Sequence, residues 1–167
     1  MLPLNPRAVL LFDIDGVIRD VGGSYRRAMV ETVHHYSGWR PDPAVIDALK
    51  GEGCWNNDWD ASLELLRRRQ VAMASPGAGG AGPATAVDPT SRWPMPSYDG
   101  LVEIFAGFYF GGDPQGDPAL WRGFIGSEPL LVGPALFTDL NDAGIAWGFV
   151  SGSEPPSVRY VLQQRLG

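Results

Sequence analysis

The chain has 167 residues, 44% of them hydrophobic and 19% charged. That balance suits one globular domain, or a small core carrying an insertion. A net charge of −6 argues against nucleic-acid and acidic-membrane partners, whose phosphates would repel it. Cys54 is the single cysteine, so no intrachain disulfide can form. With no signal-peptide core and no run of transmembrane length, the expected home is the cytoplasm.

Residues 7–13 read as a buried strand, a short continuous apolar run. Gly16, Gly22 and Gly23 then break the chain. From Ser24, Tyr25, Ala28, Met29, Val33 and Tyr36 recur at helical spacings, and Gly38 closes the helix. A short helix is predicted over Pro43–Lys50 behind an Asp42 cap, and a third from Asp58 to about Met73. Trp55-Asn56-Asn57-Asp58-Trp59 can be a loop that touches substrate hydroxyls on closure, or, the favoured reading, Asn57 or Asp58 caps that helix while the tryptophans pack inside. Residues 74–97 are rich in Gly and Pro and read as a flexible loop. Helices follow over Tyr98–Tyr109 and from Pro134 to Ala143. A second apolar strand spans Ile145–Val150, and a last helix spans Ser157–Leu166. A helix feeding a second apolar strand is half of a parallel-sheet unit, so the class is α/β.

The strongest chemical signal is Phe12-Asp13-Ile14-Asp15-Gly16-Val17, directly behind the first apolar run. Residues two apart point the same way, so both carboxylates can face one site at a strand's carboxyl end. There one can attack an electrophile while the other manages a proton, with Mg²⁺ as counter-charge. A calcium loop is excluded because the third ligand position and the terminal glutamate are absent. Downstream, Phe149-Val150-Ser151-Gly152-Ser153 ends the second strand in hydroxyls and a glycine. Arg19 lies close behind the acidic pair; it can meet a substrate anion or form a salt bridge.

These residues resemble the first two motifs of the haloacid dehalogenase superfamily: Asp13-Ile14-Asp15-Gly16-Val17, then Val150-Ser151-Gly152. The stretch between them is similar to the helical cap of an uncharacterised branch of subfamily IA. The resemblance implies a partial Rossmannoid parallel core over 1–22 and 127–167, with a mostly helical cap insertion over 23–126. It further implies a Mg²⁺-dependent phosphohydrolase of a small phosphomonoester. Asp13 would be the nucleophile, forming an aspartyl-phosphate, and Asp15 the general acid and base. Both would be metal ligands, with Ser151, Gly152 and Arg19 on the substrate.

Two further motifs of that family, a balancing cation and a closing acidic group, are missing after Ser151. Glu154 is the only acid there, and Arg159 and Arg165 are the only basic residues. Losing that charge balance costs orders of magnitude in phosphoryl transfer. The expectation is therefore a chain truncated after the second motif. Two alternatives stand beside the hydrolase: a catalytically inactive binding or assembly protein, and a phosphomutase. Oligomeric state and substrate identity are not legible.

Overall fold

The computed structural model describes residues 7–74 and 93–167. Most of the flexible loop expected over 74–97 lies outside the described residues. The chain divides into two compact units, Met1–Ser24 with Phe110–Gly167, and Tyr25–Tyr109. Residues 110–126, which the sequence reading assigns to the insertion, group with the two strands. The reason is local: Trp121 packs on Phe110 at 4.7 Å and on Tyr160 at 5.3 Å between ring centroids. Ile125, fully buried, sits in the short helical turn Phe124–Ser127.

The first unit holds the strands β1 (Ala8–Phe12) and β2 (Ile145–Phe149). They pair in parallel, with Ala8 opposite Ile145 and Phe12 opposite Phe149. Alternation sends Phe12, Trp147 and Phe149 to one face. There they meet Phe137 of α5 (Pro134–Asp142) at centroid distances of 5.9, 4.5 and 5.9 Å. Ile14, Ile18, Val161 and Leu166 complete this core. The other face is bare: Val9 and Leu11 are 62% and 66% exposed. Among the described residues the buried strand expected over 7–13 is therefore covered on one side only, because the sheet has two strands there and α5 packs on one face of it. The last helix starts at α6 (Pro155–Arg159), two residues before the sequence reading, and widens into a π-helical turn over Tyr160–Arg165.

The regular elements described within Tyr25–Tyr109 are all helices. Helix α1 (Ser24–Ser37) ends at Gly38, whose φ of +66° is the left-handed geometry that glycine tolerates. The Asp42 side chain caps α2 (Pro43–Gly51) by accepting from the Ala44 amide at 2.8 Å. Asn57 caps α3 (Asp58–Ala74), accepting from the amides of Trp59 at 2.8 Å and Asp60 at 3.1 Å. The first of the two flanking indoles is half-buried, and the Trp59 ring meets Tyr98 and Phe105 of α4 (Tyr98–Phe110) edge-on. The amide cluster thus acts as a cap with an aromatic anchor.

The result is a mixed α/β chain, mostly helical, with a small two-stranded parallel sheet. The finer expectation of a haloacid dehalogenase-type core has no support in this sheet. No helix among the described residues is long and apolar enough to cross a membrane.

Candidate functional site at the strand ends

Because β1 and β2 are parallel and in register to their last pair, both lead out at the same end of the sheet. The Val150 amide donates to the Phe12 carbonyl at 2.9 Å, carrying the pairing one step further. Asp13 therefore leaves beside Val150, and the segments 13–20 and 150–154 lie next to each other.

The first segment is a closed turn. The Ile14 carbonyl accepts from the amides of Ile18 at 2.9 Å and Arg19 at 3.1 Å, and the Gly16 amide donates to the Arg19 carbonyl at 2.8 Å. Ile14 and Ile18, both fully buried, fix it to the core. Gly16 has φ +78°, a conformation that strains other residues. This winding brings Asp15 and Arg19, four residues apart, side by side.

Arg19 is buried completely. Its Nε donates to Asp15 Oδ1 at 2.8 Å, its Nη1 to Glu128 Oε2 at 2.9 Å and its Nη2 to Ser157 Oγ at 3.3 Å. Glu128 Oε1 in turn accepts a short hydrogen bond from Ser24 Oγ. The guanidinium thus lies beneath the surface between two carboxylates, which is how a buried charge is tolerated. Of the two roles expected of Arg19, the salt bridge is the one this geometry displays.

The second Asp15 oxygen faces the other segment. Asp15 Oδ2 accepts a short hydrogen bond from Ser153 Oγ. Ser153 Oγ accepts from Ser151 Oγ at 3.0 Å, and the Ser153 amide donates to Ser151 Oγ at 3.1 Å. Asp15 and Ser151 are thereby joined through Ser153. Asp13, two residues before Asp15, is exposed, and its Oδ1 accepts from the Ile14 amide at 2.6 Å. Gly152 is exposed, and a Cβ there would meet nothing within 4 Å, so its backbone is open to an approaching ligand. Glu154, half-buried just before α6, has its pKa raised by desolvation.

Sequence reasoning missed Ser153, Glu128, Ser24 and Ser157. Ser153 had a usable signal, since Ser151 and Ser153 repeat the two-residue spacing of Asp13 and Asp15. Glu128 had none: it lies 109 residues from Arg19 and the two meet only in the folded chain.

Asp13 and Asp15 are the carboxylates expected to ligate Mg²⁺. Both Asp15 oxygens are engaged, and no group of three or more His, Cys, Asp or Glu able to hold a metal occurs among the described residues.

Comparison with known proteins gives one informative result. An imidazoleglycerol-phosphate dehydratase of Phytophthora nicotianae is 39% identical over 62 residues, covering 37% of this chain and 14% of that protein. No family model matches, and no solved structure matches. The chain spans about one seventh of that relative's length. These findings correct the resemblance drawn from the motifs. The similarity leads to a protein named for a different family, and nothing links the chain to the haloacid dehalogenases. The hydrolase and phosphatase assignment, with its aspartyl-phosphate intermediate and its phosphomutase and inactive-homologue variants, falls with it.

Proposed function

We propose that the paired segments at the ends of β1 and β2 bind a small phosphorylated metabolite as its Mg²⁺ complex, the cation arriving with the ligand. The observation that carries this reading is the hydrogen-bonded chain Ser151–Ser153–Asp15, with the exposed carboxylate of Asp13 two residues before Asp15. Bare phosphate would be repelled by the acidic groups of these segments. Mg²⁺ is ordinarily bound through one or two carboxylates plus phosphate oxygens and retained water, and Asp13 supplies such a carboxylate. Gly152, with no Cβ, lets backbone approach the phosphate closely. Ser151 contributes its hydroxyl oxygen. Support also comes from the Phytophthora nicotianae relative, whose name specifies a phosphate ester, imidazoleglycerol phosphate.

The test is calorimetric titration of the 167-residue chain with glycerol phosphate in excess Mg²⁺. Saturable binding at or below about 1 mM is expected, roughly 4 kcal/mol of binding free energy. Ser151→Ala and Asp13→Asn should each weaken it by about fivefold or more, the loss of one hydrogen bond or ionic contact. No binding, or binding equal in all three proteins, overturns the reading.

A further inference from the structure

The hydroxyl chain at the strand ends has a direction, and the direction is set from below. Arginine has only donors, and an aspartate carboxylate can only accept. Arg19 Nε occupies Asp15 Oδ1, leaving Oδ2 for Ser153, which must spend its single hydroxyl proton there. Ser153 Oγ can then only accept from its other neighbour, so Ser151 must spend its own proton on Ser153. The Ser153 amide supplies one further donor to Ser151 Oγ. Both hydroxyl protons in the chain therefore point inward.

We propose that Arg19, through Asp15 and Ser153, is a positioning residue that makes Ser151 present a lone pair and no proton to the ligand. The site consequently accepts a phosphate ester that brings its own cation and rejects the bare dianion. This rests on the binding reading above and adds to it the ionic form of the ligand that is selected. A serine beside a phosphate would ordinarily be a donor; here its donor is consumed within the protein.

Two substitutions reverse or release the chain. In Ser153→Ala, the Ser151 proton loses its inward acceptor and turns outward. In Asp15→Asn, Arg19 still requires the side-chain oxygen, so the amide NH₂ faces Ser153. Ser153 must then accept from it and donate to Ser151, freeing the Ser151 proton for the ligand. Asp20→Asn removes one exposed carboxylate charge of the same turn, outside both the hydroxyl chain and the ligand contacts, and serves as the electrostatic control.

The measurement is glycerol phosphate affinity with Mg²⁺ and with EDTA, for the wild type and the three variants, each checked for folding by circular dichroism. Wild type and Asp20→Asn should bind weakly in EDTA. Ser153→Ala should gain about tenfold in EDTA, the scale of a hydrogen bond to a charged group. Asp15→Asn, where folded, should gain likewise. If the wild type binds with Mg²⁺ and Ser153→Ala keeps the same Mg²⁺ dependence, this inference fails while the binding reading stands. If the wild type does not bind even with Mg²⁺, both fail.

Discussion

Arg19 and Glu128, 109 residues apart in sequence, form an ion pair of 2.9 Å whose side chains are 0% and 1% exposed. It ties the turn after β1 to the segment leading toward α5, and Asp15 and Ser24 extend it at either side. A buried guanidinium between one buried and one partly exposed carboxylate is tolerable only while its partners are present. Glu128→Ala should therefore destabilise the chain by about 3–5 kcal/mol, the cost of stranding one buried charge. Ser24→Ala removes one hydrogen bond to the same carboxylate, but that bond is to a charged group, so about 1.5–3 kcal/mol is expected. Urea unfolding of both variants checks the order. A Glu128→Ala cost below that of Ser24→Ala would show that the pair is not buried as described.

Two glycines of nearly equal φ should respond unequally to alanine. Gly111 has φ +66° and Gly144 φ +71°, so each substitution carries the left-handed penalty of about 1–2 kcal/mol. At Gly144 a Cβ would meet nothing within 4 Å, whereas at Gly111 it would lie 2.1 Å from the Gly123 nitrogen. That clash is with backbone, which donates to the Phe110 carbonyl at 2.8 Å and cannot move aside cheaply. Gly111→Ala should cost at least about 1–3 kcal/mol more than Gly144→Ala. Comparing their thermal midpoints decides it.

Glu154 provides a pH signature. Desolvation raises its pKa above the ordinary 4.5, so the folded chain holds this proton more tightly than the unfolded chain does. Within that window the native state binds more protons, and its contribution to stability is lost as pH rises from about 4.5 through the raised value. Glu154→Gln should flatten this part of the stability–pH curve and leave neutral-pH stability equal or higher. Urea midpoints taken across the acidic range for both proteins measure the difference. An unchanged slope in the variant would mean that another group titrates there.

Much of this architecture was legible because its signals are local. The caps at Asp42 and Asn57, the stop at Gly38 and the helix-to-strand passage at Gly144 each depend on residues a few positions apart, and the strands and helices lie close to where those signals put them. The placing of Asp15 near Ser151 followed from parallel pairing at a strand's end. What the sequence could not show is contact at long range. The burial of Arg19 depends on Glu128 and Ser157, neither of which carries a motif. The bare face of β1 depends on how many strands assemble, and five apolar residues in a row read the same in either case. The family resemblance failed for a related reason. Short motifs such as Asp-x-Asp-Gly and Ser-Gly fix local geometry but are too brief to fix ancestry.

The claim on which the functional account depends is that a phosphate ester settles on the segment 150–153 at the end of β2. Amide chemical-shift mapping during titration with glycerol phosphate and Mg²⁺ tests it most directly. The account expects the largest shifts at Ser151, Gly152 and Ser153, with smaller ones across the sheet end at Ile14 and Asp15. Shifts clustered elsewhere, or none up to about 10 mM ligand, far beyond the millimolar affinity expected, would contradict it.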